Sequence, residues 1–484
     1  MGVNEMQDLC GEWTGIATLL TDGFGTLPSR NYRFILSLTH APDGVITGMA
    51  QSPDMGVVQM TLEAPQRTGD QFSCGISALG ARYHARITEA GEALEGELEF
   101  ARGSVSLLLR RDDPRFRIYE IPRQGESGER CLDYDYHPPA SFDDGWEISS
   151  LDAEGISEAA IGKLMSSMLA EAFPKQASLL VVRNGKLVLE EYFRGQRREQ
   201  THTFQSATKS IASMGVGLAV DRGLIDIDAP AYEYFPERAN TRWVREKYPI
   251  TVKHVLTMSA GLDWNETLPY VDPRNDNRAM NASGDWIGYV LERAIARPPG
   301  EASFYCSGLS ILLGGIVKHA TGVFIDEYVA EHLFAPLGIE NFGWGSTADG
   351  ARHTGGGLHM RPRDMAKLAQ LILDGGRWQG RELLSGHWVR KSTSPAYEIA
   401  AASEALSRDP AYQALHYGYQ WWLPTYKVGG KRVDTIEALG YGGQCACIVP
   451  SLGLVVVLNS GDYEGDRTRI IRMIRDEILP AVMT

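Results

Sequence analysis

Eight short apolar-rich runs fill most of the first 112 residues of this 484-residue chain: Glu12–Leu20, Asn31–Thr39, Val45–Gln51, Val57–Glu63, Gln71–Ser77, Arg82–Ile87, Leu94–Phe100 and Val105–Arg110. Turn signals at Asp22-Gly23, Asp43-Gly44, Gly69-Asp70 and Gly91-Glu92 separate many of them. Runs recurring every 8–12 residues or so, with Gly and Asp between them, predict an antiparallel sandwich or barrel over residues 1–112. The texture then changes. Pro114, Pro122, Pro138, Pro139 and the polar run from Gln124 to Arg130 mark residues 113–150 as a linker.

A second domain is expected over residues 151–484. Ile156–Phe173 has helical periodicity behind a Ser/Glu-rich turn, and Ala177–Phe193 reads as a hairpin about Asn184-Gly185. Strands return at Leu439–Pro450 and Gly453–Asn459, and Arg467–Leu479 closes the chain with Ile470, Ile471, Ile474 and Ile478 on one helical stripe. A sheet assembled from distant strands with helices packed on it makes the fold class α+β.

Composition narrows the function. The formal net charge is −14, and no basic cluster exceeds pairs such as Arg110-Arg111 and Arg197-Arg198, so neither nucleic acid nor an anionic membrane is an expected partner. No stretch approaches the roughly 18 consecutive apolar residues of a transmembrane helix. Met1–Cys10 lacks a basic, then apolar, leader pattern, which makes a cytoplasmic location the expectation. Six cysteines in this length are not a disulfide framework, and Cys445 and Cys447, alternating on a strand-like run without zinc-spaced companions, are expected as small core residues. The acid pair Glu190-Glu191 is expected on a solvated face.

Three local features carry chemistry. Ser206-Ala207-Thr208-Lys209 opens the apolar run Ser210–Val220. Residues three apart on a helix share a face, so a hydroxyl and an amine would meet at a helix start, where an amine can activate a serine nucleophile. Tyr305, in Phe304-Tyr305-Cys306-Ser307-Gly308, stands just before a second helical run, Leu309–His319. A tyrosine at such a junction either projects its hydroxyl into a cleft or is half-buried packing. Gly440-Tyr441-Gly442-Gly443-Gln444 leads into a strand, and its glycines permit either close approach to the backbone or a bulge.

In this order the three features resemble the motifs of the serine β-lactamase and penicillin-binding-protein superfamily, and most closely its class C-like esterases, amidases and D-amino-acid peptidases. Flanking segments agree: Thr251–Trp264 (TVKHVLTMSAGLDW), Pro299-Gly300, Thr354–Met365 (TGGGLHMRPRDM) and Gly440–Pro450. The resemblance spans nearly all of residues 151–484. It implies that Ser206 is the nucleophile, that Lys209 takes or relays its proton, and that Tyr305 is the partner base and then the acid for the leaving group. It places an oxyanion hole at the backbone N–H groups of Ser206 and Gln444, and a substrate wall at Tyr441, Gly442, Gly443 and Ser307. No cofactor and no metal are implied. Two positions depart from the pattern. Ser307 stands where the family usually has Asn, and Tyr441 where it has Lys or His. Without that cation a neutral ester or amide is favoured over a β-lactam or a cell-wall peptide.

Other features are open on both sides. Gly11-Glu12-Trp13 is similar to the Gly-x-Trp of lipocalin-like barrels, and equally to a packed Trp opening any all-β domain. Trp264, at the start of the polar loop Asp263–Asn281, and Trp344 read equally as substrate contacts or packing. His202, four residues before Ser206, is tempting as a base, but the family logic uses Lys and Tyr. The expectation is a serine hydrolase of a small carboxylic ester or amide, acting through an acyl-Ser206 intermediate, with that substrate and further copies of the chain as partners. Its rivals are an amidase or peptidase for short or D-configured peptides and a non-catalytic protein that binds a ligand in the barrel.

Overall fold

A computed structural model describes residues 9–19, 30–41, 44–52, 57–76, 81–100, 103–111, 121–125, 129–270, 272–347, 349–398, 412–463 and 468–483. The chain divides into two compact units, Met1–Arg130 and Cys131–Thr484.

In the first unit, nine strands form one antiparallel sheet: β1 (Gly11–Leu19), β2 (Arg30–His40), β3 (Ile46–Ser52), β4 (Val57–Thr61), β5 (Glu63–Thr68), β6 (Gln71–Ile76), β7 (Ala81–Thr88), β8 (Ala93–Phe100) and β9 (Gly103–Arg110). The strand order is β4-β3-β2-β1-β9-β8-β7-β6-β5. Leu62 N–H, between the two edge strands, donates to Gly48 O of β3 at 3.0 Å and brings the sheet close to a closed barrel. The eight expected runs became nine strands, because the chain continues past the fourth run, Val57–Glu63, through Leu62 into β5. Alternate residues point inward, as the period of two demands, and β7 reads buried-exposed three times in succession. Trp13, Tyr32, Phe34, Phe72 and Tyr83 are buried and fill the interior with side chains. Tyr83 hydroxyl donates to Leu94 O at 2.8 Å, so its burial leaves no orphaned donor. Trp13 Nε1 donates to Leu9 O at 2.9 Å, and the Arg111 guanidinium lies 4.3 Å from the Trp13 ring centroid. The expected turn at Asp22-Gly23, Asp43 of the next turn, Pro114 and Glu126–Gly128 of the linker lie outside the described residues.

The second unit begins earlier than expected. Residues 131–150, read as linker, pack onto it. Tyr136 hydroxyl donates to Val188 O at 2.8 Å, and β10 (Glu147–Ile148) pairs in parallel with β12 (Lys186–Tyr192). The central sheet also contains β11 (Gln176–Arg183), β13 (Tyr397–Glu398), β14 (Tyr412–Tyr417), β15 (Trp422–Val428), β16 (Lys431–Asp434), β17 (Ile436–Gly440), β18 (Gln444–Val449) and β19 (Leu454–Ser460). Its order is β10-β12-β11-β19-β18-β17-β15-β14-β13, with β16 beside β15. The expected hairpin is β11–β12, where Asn184 (φ 52°) and Gly185 (φ 80°) take the left-handed conformations that a tight primed turn needs.

Helices cover both faces, so β11, β18 and β19 read as continuous apolar runs rather than alternations. On one face Leu179, Val181, Cys445 and Cys447 pack with α1 (Glu158–Leu169) and with the C-terminal stripe Ile470, Ile471, Ile474 and Ile478. Leu180, Val182, Ala446 and Ile448 face the other core, with α2 (Thr208–Asp221), α3 (Ser307–Thr321) and α4 (Pro362–Leu373). Among the described residues no single helix is long and apolar enough to cross a membrane. One expectation is overturned. Glu190 does not present its carboxylate to solvent: the side chain is 4 % exposed, and Arg363 Nη1 donates to Glu190 Oε2 at 2.5 Å while Arg363 Nε reaches Asp144 Oδ2 at 2.5 Å. A buried guanidinium supplies the charge that this carboxylate needs once it leaves water.

Candidate active site

The turn that carries Ser206 is shaped by its backbone. The strand His202–Thr203 delivers the chain to Gln205, whose φ of 47° is uncommon for a residue with a side chain. Thr203 Oγ1 accepts Gln205 N–H at 3.3 Å, and Ala207 N–H donates to Phe204 O at 3.0 Å. This sharp corner feeds directly into α2, leaving Ser206 half-buried at its mouth. One turn on, Lys209 is 2 % exposed. Its Nζ lies 3.0 Å from Ser206 Oγ and donates to Gly355 O at 2.5 Å.

Tyr305 joins this pair at the mouth of α3. Its ring centroid is 5.0 Å from Lys209 Nζ. Trp422 stacks on the ring at 5.5 Å and Tyr417 meets it edge-on at 6.5 Å. The phenol is thus clamped by β14 and the start of β15 as well as by its own helix. Burial, reinforced by the neighbouring Tyr305, pushes the Tyr417 phenol well above its ordinary range, so Tyr417 stays neutral.

The third wall is the β17–β18 corner. A Cβ on Gly440 would sit 2.2 Å from Phe204 O and 3.1 Å from Gln205 Cβ, so only glycine lets this strand end lie against the Ser206 turn. Gly440 pairs with Gln444 across the corner, with Gly442 (φ 81°) and Gly443 (φ 87°) between them. A Gly440→Ala variant should push strand and turn apart. Displacements on that scale cost about a hundredfold in rate, and we expect kcat to fall by about that factor, read by steady-state kinetics, together with a lower melting temperature.

The softer candidates separate. Tyr441 is 36 % exposed beside the corner, and its hydroxyl donates to Tyr463 O at 2.5 Å. Ser307 donates from both N–H (2.7 Å) and Oγ–H (2.6 Å) to the carboxylate of Glu266. Trp264 Nε1 donates to Glu266 Oε2 at 2.9 Å, and the ring lies over Gly308 at the start of α3. Glu266 is therefore a cap for the helix that follows Tyr305, and it is a residue that the motif reading missed. Trp344 is buried in the core, with its indole N–H on His353 O at 3.1 Å. His202 is buried in its strand, Nδ1 lying 2.9 Å from Thr203 O.

His353 is the other unforeseen neighbour. Its ring meets Trp286 edge-on at 4.8 Å, and Nε2–H donates to Asn281 Oδ1 at 2.9 Å. Burial, aided by the charge of Lys209, pushes this imidazole from 6.5 down to about 4. The unfolded chain therefore takes up a proton that the folded chain refuses between pH 6.5 and about 4. The His353 contribution to stability falls as pH drops through that window and levels off beneath it, by about 3 kcal/mol in all. Urea unfolding from pH 7 to pH 4 should show the fall for the parent chain and a shallower one for His353→Gln.

The β-lactamase family model matches residues 169–476, so the chain belongs to that family. It is a serine hydrolase of the esterase and amidase type. A 6-aminohexanoate-dimer hydrolase of Paenarthrobacter ureafaciens is 27% identical over 292 residues, covering 58% of this chain and 71% of the relative. A lovastatin esterase of Penicillium rubens is 25% identical over 207 residues, 38% of this chain and 49% of the relative. Among solved structures, EstCE1, described as a hydrolase with promiscuous acyltransferase activity, aligns with a TM-score of 0.53 at 15% identity, over 68% of this chain and 100% of its own.

Proposed function

We propose that this protein hydrolyses small, uncharged carboxylic esters and amides through an acyl-enzyme on Ser206. The observation that carries the reading is one amine beside both residues: Lys209 Nζ is 3.0 Å from Ser206 Oγ and 5.0 Å from the ring centroid of Tyr305. Ser206 Oγ attacks the carbonyl carbon while its proton passes to the Lys209–Tyr305 pair. Backbone N–H groups of Ser206 and Gln444 receive the oxyanion; preorganised donors of this kind are worth a hundredfold or so each in rate. The proton then goes to the leaving alcohol or amine, with Tyr305 as the donor. Water, activated by the same pair, repeats the sequence in reverse and frees Ser206.

Substrate charge follows from Tyr441. A phenol whose hydroxyl already donates to Tyr463 O at 2.5 Å stands where the motif it resembles has Lys or His. The relatives named for a 6-aminohexanoate dimer and for lovastatin support an ester and amide repertoire over a β-lactam one. Turnover of matched neutral acyl esters, acyl anilides and a carboxylate-bearing β-lactam tests this. The expected order is ester, then amide, with the lactam far behind. A lactam hydrolysed as fast as the ester would overturn it.

A further inference from the structure

Between the three walls of the site runs a buried polar network. Its hub is Gln420, 1 % exposed, held at φ 64° in the loop between Tyr417 and Trp422, the two rings that clamp Tyr305. Ser210, the residue after Lys209, donates its hydroxyl to Gln420 O at 2.7 Å. Ser310, on the first turns of α3 behind Tyr305, donates to Gln420 Oε1 at 2.6 Å. The Gln420 amide spends its Nε2 hydrogens on Leu256 O (2.8 Å) and Val255 O (3.3 Å), which fixes the orientation of the side chain. Thr354 Oγ1, next to the Gly355 carbonyl that holds Lys209, donates to Ser310 O at 2.7 Å. Ser210, Ser310 and Thr354 are buried with it.

We propose that Gln420 is a positioning residue that sets the Ser206–Lys209 pair against Tyr305, through Ser210 on one helix and Ser310 on the other. Resting on the catalytic reading above, the inference extends it. The hydroxyls and amide join α2, α3, the Tyr417–Trp422 clamp and the Gly355 loop, the elements that carry or hold all three reacting side chains. Apolar contacts also join α2 to α3, but they permit small sliding. Directional bonds in a dry interior fix register, and a shift near 1 Å between reacting groups costs about a hundredfold in rate.

Three variants test it: Ser210→Ala, Ser310→Ala and the double variant, each of which keeps Gln420 and its φ. Each single change should lower kcat and the rate of fluorophosphonate labelling by about ten- to a hundredfold, with KM within about twofold. The double variant should lose less than the product of the singles, because both serines act through one hub. Melting temperatures record folding, and Gln420→Gly, which suits the left-handed backbone, gives the same readout if a serine variant fails to fold. Parent-like kcat and labelling in the folded variants would overturn the positioning role. So would a change confined to KM. Ser206→Ala run alongside separates the two claims: if it still turns over, the catalytic reading itself has failed, whatever Gln420 does.

Discussion

Replacing Ser206 with Ala should reduce turnover about ten-thousandfold or more while leaving the fold intact. The magnitude follows from removing the atom that forms the intermediate; other groups of the site then have nothing to act on, and the residual rate reflects binding and the oxyanion donors alone. The stability side follows from contacts. Ser206 is half-buried, and its hydroxyl meets Lys209 Nζ, which keeps its bond to Gly355 O. Loss of one such hydrogen bond costs about 1 kcal/mol. Steady-state kinetics and a melting curve on the same preparation give both numbers.

Tyr305→Phe should have the next largest effect, and the effect should depend on the leaving group. The variant keeps the ring between Trp422 and Tyr417 and loses only the hydroxyl. An alkoxide or phenolate leaves an ester with little help, whereas an amine must be protonated as the bond breaks. General acid catalysis is worth about 10²–10⁴-fold, so the anilide should lose about a thousandfold and its matched ester much less. Lys209→Ala should cost several orders of magnitude on both substrates. Combined with Tyr305→Phe it should cost little more, because in the proposed mechanism the two residues handle one proton. Equal losses on ester and anilide for Tyr305→Phe would mean that this phenol does not serve the leaving group.

What could be read before the structure, and what could not, divides by range. Ser206, Lys209 and the β11–β12 turn are local: a three-residue spacing on a helix and an Asn-Gly pair state their own geometry. The nearness of Tyr305 to Lys209 came instead from the order of motifs, since 96 residues of spacing carry no geometry of their own. Glu266 and Gln420 were invisible because each is one polar residue whose partners lie far along the chain; Gln420 reaches Ser210 and Ser310 across sequence separations of 210 and 110. The same holds for Glu190. Its neighbour Glu191 suggested a solvated pair, and only the arrival of Arg363, 173 residues later, permits burial. Residues 131–150 look like linker by their prolines, yet Tyr134, Tyr136 and Trp146 among them pack against the second unit. Aromatic residues inside a proline-rich stretch were the available sign.

The nine-stranded unit buries Trp13, Tyr32, Phe34, Phe72 and Tyr83 in one apolar cluster.

The central claim is that Ser206 is a nucleophile activated by its neighbours, and intact-protein mass spectrometry after treatment with a fluorophosphonate tests it most directly. The account predicts one adduct per chain, mapped by peptide digestion to Ser206, formed quickly on the parent, slowly on Lys209→Ala and not at all on Ser206→Ala. An adduct on another serine, or a folded parent chain that stays unlabelled, would contradict it.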